Sequence, residues 1–211
     1  MLGQPTQSEL AAALYEDGTT PDPARIHVAS EALRQAKADA FAEDLPALLE
    51  DTKVSGPYSA EAGPASKRAL GLGALRLMTR LEGGAAAQAQ YDSADNMTLQ
   101  LGALECLIEA GKSEAALAAF YDQWKHDVLV MDKWFGLQVM LAKPEDVAAT
   151  TAQLTKHSDF NWKNPNRFRA VFGMLAAHHG GFHHASGAAY QLLTDWLIRL
   201  DPINPQTTAR M

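Results

Sequence analysis

Cysteine is almost missing from this sequence: 211 residues contain one, Cys106. That excludes an internal disulfide framework and suits a reducing compartment. Cys106 sits in the apolar helical stretch LGALECLIEA, where a buried, inert thiol is expected rather than a nucleophile. No apolar run reaches the roughly 18 residues a membrane span needs. The start, MLGQPTQSEL, lacks the basic region and apolar run of a secretory leader, so a soluble, cytoplasmic protein is expected. An excess of positive charge is missing as well. The 18 Lys and Arg are scattered among 25 Asp and Glu, for a net charge of −7 and a pI of about 5.4. Nucleic-acid binding, which needs clustered cations, is set aside.

Alternating strand patterns are nearly absent, and almost every segment has helical period. Hydrophobic residues make up 47% of the chain, enough for a sizeable core. The run 23–50 reads as one long, Ala-rich amphipathic helix with Ile26, Ala29, Leu33 and Ala36 on one side, broken by KVSGPYSAEAGPAS. A second helix is expected over 66–81, stopped by the EGG that follows. Then comes a regular series. Asp95 or Ser93 caps NMTLQLGALECLIEA, Ser113 caps EAALAAFYDQWKH, and LVMDKWFGLQVMLA follows. Pro144 opens PEDVAATTAQLTKH, Asn164 caps PNRFRAVFGMLAA, and a last complete helix covers 186–200. Helices of this length joined by short turns imply antiparallel neighbours stacked into an all-α, α-α superhelix, HEAT/ARM-like but irregular, because no strict period is visible. One helical domain, 1–211, is the expectation.

No His-Glu-x-x-His, no Gly-x-Ser-x-Gly elbow and no phosphate-binding glycine loop is present; the GLG at 71–73 lies inside a helical pattern and reads as packing. HHGGFHHA, 178–185, holds four of the seven histidines. His179 and His183 have the i, i+4 spacing of zinc ligands. Gly180 and Gly181 between them argue for a solvated interhelical loop, and no Glu is present there to act as base. Neither a metal site nor catalytic residues are expected in this chain.

Other stretches are more informative. In LVMDKWFGLQ, Leu129, Met131, Trp134, Phe135 and Gln138 form a core stripe beside a snorkelling Lys133. In NPNRFR, Asn164 is a cap and Pro165 the first helical residue; Phe168, Val171, Phe172 and Leu175 make the buried stripe, with Arg167 and Arg169 on its flanks. DPINPQTTARM repeats the device, with Asn204 capping, Pro205 starting, and Gln206 and Arg210 at i, i+4 on one face.

DNMT (95–98), FYDQW (120–124), LVMDKWF (129–135), NPNRFR (164–169), FHHASGAAY (182–190) and LDPINPQTTAR (200–210) occur in one order at suitable spacings. Together they resemble the C-terminal helical domain of bacterial-type aminopeptidase N, the zinc-dependent gluzincin aminopeptidases. The likeness is strong from about Asp95 to Arg210 and weaker but collinear from about Ser8. It implies a non-catalytic helical domain that closes over the catalytic domain of the same polypeptide and bounds the cavity for peptide substrates. The zinc and its ligands would belong to that upstream domain. By motif position the resemblance assigns cavity lining to Arg169, Gln206 and Arg210, while Arg167 is expected to be structural. It also implies that the histidine cluster lies in an interhelical loop away from the zinc. The sequence departs from the family's Asp-Gly-x-Gly-Tyr at SGAAY, 186–190, through Ser186 and Ala189. The ending, NPQTTARM, reads as a truncation about two turns into a helix. A free-standing helical-repeat scaffold that binds a protein or peptide remains the rival reading.

Overall fold

The computed structural model describes residues 3–211, and among them there are helices and turns but no strand. Contacts divide the chain into two compact units, Val28–Ala118 with the N-terminal residues to Thr6, and Gln7–His27 with Ala119–Met211.

The first unit is built on α4 (Ala62–Glu82), which packs against α3 (Leu45–Asp51), α5 (Ala85–Ser93) and α6 (Met97–Glu109). Pro64 lies in the first turn of α4, where backbone N–H groups have no intrahelical partner anyway, so the helix starts four residues before the expected position 66. The helix expected over 23–50 is two: α2 (Pro23–Ala40) and α3, separated by a turn at 41–44. Pro46, at the second position of α3, cannot continue a helix from upstream but can begin one. Gly83 and Gly84, with φ of 73° and 98°, end α4 and turn the chain into α5; an L residue is strained in that region. At the α6 start the cap is Asn96, whose side chain accepts from Leu99 N. The Ser93 hydroxyl instead donates to the Ala89 carbonyl, and Asp95 accepts from the Asn96 amide. Ala38, Leu45, Ala74 and Leu77 form a core patch here. The inner side of α2 is Ile26, Ser30 and Ala38; Val28, Ala29, Ala32, Leu33 and Ala36 are exposed. The stripe anticipated through Ala29, Leu33 and Ala36 therefore faces outward.

The second unit is centred on α8 (Val128–Met140), which opens at Asp127, whose carboxylate accepts from Leu129 N and Val130 N. Met131, Trp134 and Phe135 are buried as expected, but Leu129 is 70% exposed, while its neighbour Val130 turns into the core. α8 packs on α9 (Val147–Leu154) and on a helix running from Pro165 to Ala177. Pro144 lies in a turn ahead of α9 rather than opening it. α13 (Ala188–Leu200) packs on α9, and α14 (Pro205–Thr208) on α13. α1 (Gln7–Glu16) and α7 (Glu114–Trp124, starting directly after Ser113) complete the described helices, with the one-turn α12 (His179–Phe182).

Candidate functional site

The helix through NPNRFR is not uniformly α. α10 (Pro165–Phe168) passes into a π-helical stretch, Arg169–Gly173, before α11 (Met174–Ala177). Asn164 caps it, accepting from Asn166 N and Arg167 N, with Pro165 in the first turn. The buried stripe is the expected one: Phe168, Val171, Phe172 and Leu175 are all fully buried. α8 lies so close that a Cβ on Gly136 would sit 3.1 Å from the Ala170 carbonyl oxygen. A single π turn re-aims side chains, and such turns recur at functional sites. Here it begins at Arg169, which stays exposed with Nη2 2.8 Å from Asn166 Oδ1. Gln206 and Arg210 are exposed on and just after α14, whose Asn204 cap accepts from Thr207 N. Among the described residues no hydrogen bond or ion pair links these three.

Arg167 points the other way. It is buried, donating from Nε to Asp132 Oδ1 at 2.5 Å and from Nη1 to the Asp159 carbonyl at 2.6 Å, with the guanidinium 4.6 Å above the Phe135 ring. Asp159 also accepts from the Tyr121 hydroxyl at 2.6 Å; that bond holds the phenol above its ordinary pKa. His157 is ringed by Tyr121, Trp134 and Phe135 at 5.1, 5.3 and 5.5 Å, and its Nδ1 accepts from Asp159 N. FYDQW, LVMDKWF and NPNRFR thus meet in one partly buried polar-aromatic cluster that ties α7, α8 and α10 together.

The histidine stretch is not a solvated loop throughout. His178 Nδ1 accepts from Gly181 N, so Nε2 carries the proton and donates to the Ala142 carbonyl at 2.8 Å. His179 pairs with Ser8 and His183 with Tyr190. The Gly pair lies in α12 with negative φ, so conformational freedom is not its purpose. A Cβ at Gly180 would meet the His27 side chain at 3.2 Å, and one at Gly181 would meet Val147 Cγ1 at 2.4 Å. Close approach is what requires glycine there. At SGAAY the turn is made by Gly187, φ 68°, and Ala189 is buried. No three His, Cys, Asp or Glu side chains converge as a metal-ligand set among the described residues. The donors present among the described residues do not fit a zinc centre.

Cys106 is fully buried on α6, and burial, with Glu109 nearby, pushes its thiol up to about 12. At pH 8 it should resist a disulfide reagent such as dithiobisnitrobenzoate in the native chain and react within minutes in denaturant. Prompt reaction without denaturant would contradict this burial. One cluster escaped the sequence reading altogether: Trp162 and Trp196 hold Arg199 between them. Its signal was Trp196 and Arg199 at i, i+3 on one helix, a spacing too common to stand out.

These features define an all-α protein of the α-α superhelix class, with buried aromatic seams between helices and its exposed polar candidates on a π turn and the last short helix. The chain belongs to the family described as Domain of unknown function (DUF3458_C) ARM repeats, whose model matches residues 1–211. It is 34% identical to Aminopeptidase N of Caulobacter vibrioides over 100% of its own length and 25% of that protein. To Aminopeptidase N of Escherichia coli it is 32% identical, over 90% of this chain and 22% of that one. The crystal structure of Legionella pneumophila aminopeptidase A in complex with aspartic acid superposes with a TM-score of 0.86 at 27% identity, covering 99% of this chain and 25% of the other. The chain thus spans about a quarter of the curated relatives it matches, and its counterpart in them is the C-terminal helical domain of aminopeptidase N.

Proposed function

We propose that this chain is the non-catalytic helical part of a zinc aminopeptidase that removes N-terminal residues from peptides. It closes over the catalytic domain of the same polypeptide and bounds the peptide cavity, excluding large folded substrates. The observation that carries this reading is end-to-end similarity to proteins named aminopeptidase N, of which the chain spans a quarter. The exposed apolar stripe of α2, Val28 to Ala36, supports it: contiguous apolar surface of this kind on a water-facing helix is typical of a face covered in a larger assembly.

Arg169, Gln206 and Arg210 would meet the peptide beyond the scissile bond. A guanidinium offers a rigid fork of donors to a carboxylate or carbonyl. Arg169 is free to do so because its one partner, Asn166, is neutral and exposed. The bond-breaking chemistry lies outside this chain. Arg169→Ala in the full-length enzyme should raise KM for tri- and tetrapeptides about tenfold and leave a single-residue amide within about twofold. Equal effects on both substrate lengths would refute the cavity-lining role.

A further inference from the structure

We propose that Arg199, clamped between Trp162 and Trp196, is a carboxylate-binding site. The clamp is built outward from the core. Phe172 is fully buried and Phe160 nearly so, and their rings sit 5.6 and 5.5 Å from that of Trp196. Trp162 stands at 67° to Trp196 with centroids 5.9 Å apart. The Arg199 guanidinium carbon lies 4.6 Å above one indole and 4.8 Å above the other. Lys163 Nζ is 5.8 Å from the centroid of the Trp162 ring, so two cations share one indole.

Cation–π contact uses the face of a guanidinium and leaves its edge of N–H donors open. Among the described residues no hydrogen bond or ion pair engages that edge. The nearest acids in sequence do not take it: Asp195 accepts from Gln191, and Asp201 forms no ion pair. The side chain is therefore held in place with its fork unspent, which removes much of the entropy that an Arg loses on capturing an anion. A planar two-oxygen carboxylate matches that fork bidentately. The net charge of −7 disfavours a polyanionic nucleic acid. The carboxylate can come from a peptide C-terminus or from an acidic side chain, and this assignment stands independently of the peptidase reading.

The test is a titration of the purified chain followed by indole fluorescence, since both indoles belong to the site. The probes are acetyl-Ala-Leu, its C-terminal amide, acetyl-Ala-Glu-Ala-amide and inorganic phosphate. Acetyl-Ala-Leu should bind at least about fivefold more tightly than its amide, and Arg199→Gln should abolish that difference. Arg199→Lys and Lys163→Gln should each weaken it about threefold with an unchanged circular dichroism spectrum. A response to acetyl-Ala-Leu alone assigns a peptide terminus; a response to the glutamyl probe alone assigns an acidic segment. Equal curves for acetyl-Ala-Leu and its amide together with no response to the glutamyl probe, an effect surviving Arg199→Gln, or phosphate binding as tightly as the carboxylates would overturn the proposal.

Discussion

Arg167→Ala should destabilise the second unit by about 3–5 kcal/mol, because it strands a buried acid rather than merely deleting a contact. The Arg167 and Asp132 side chains are 6% and 16% exposed, so little water can reach Asp132 to replace the lost guanidinium. The same change removes one of the two donors to the Asp159 carbonyl, leaving Asn161 N, and uncovers the face of Phe135. All four tryptophans, Trp124, Trp134, Trp162 and Trp196, belong to the second unit, so indole fluorescence during urea unfolding reads that unit. With a slope of about 2 kcal/mol/M, the midpoint should fall by about 2 M. Replacing both partners, Arg167→Met with Asp132→Leu, should recover most of the loss, since two apolar groups leave no unpaired charge. A single mutant within about 1 kcal/mol of the wild type would mean that Asp132 finds solvent, contrary to its burial.

Phe172→Ala should cost about 3–5 kcal/mol by the same measurement, through a different mechanism. The ring is fully buried, stacked on Phe168 at 4.6 Å and 28°, and in contact range of Phe160 and Trp196. Removing it loses the transfer free energy of the ring and leaves a cavity that rigid neighbours on α8 and α13 cannot fill. Phe172→Leu should cost less than half as much. The alanine variant should also red-shift the emission of Trp196, whose inner wall is this ring. A large stability loss without any spectral change would show that Trp196 is held by Phe160 and Arg199 instead.

Much of the second unit was legible because its signals are local. Asn164-Pro165 and Asn204-Pro205 place a short acceptor before a residue with fixed φ, and both start helices as read. Phe168, Val171, Phe172 and Leu175 follow the helical period and are all buried. The failures share a cause. α5, AAAQAQYDS, has no apolar stripe of its own and owes its place to α4 and α6. On α2, alanines and leucine fit either side of the helix equally well, and the packing partner selected Ile26, Ser30 and Ala38. The Gly180–Gly181 pair reads as a solvated interhelical loop, yet its glycines answer to His27 and Val147, residues distant in sequence.

Helix content, the starts after Ser113, Asn164 and Asn204, the family and the absence of a catalytic motif follow from the order of residues alone, because capping, proline geometry and apolar period act within a few positions of one another. Three things were decided only by tertiary contact. The pairing of Arg167 with Asp132 buries one arginine of NPNRFR while the other, at the start of the π turn, stays exposed. The glycines of α12 accommodate side chains brought from elsewhere in the chain. Trp162 and Trp196, thirty-four positions apart, close on Arg199. Each depends on which surfaces meet, and a one-dimensional pattern specifies a helix's apolar side far better than the partner that will cover it.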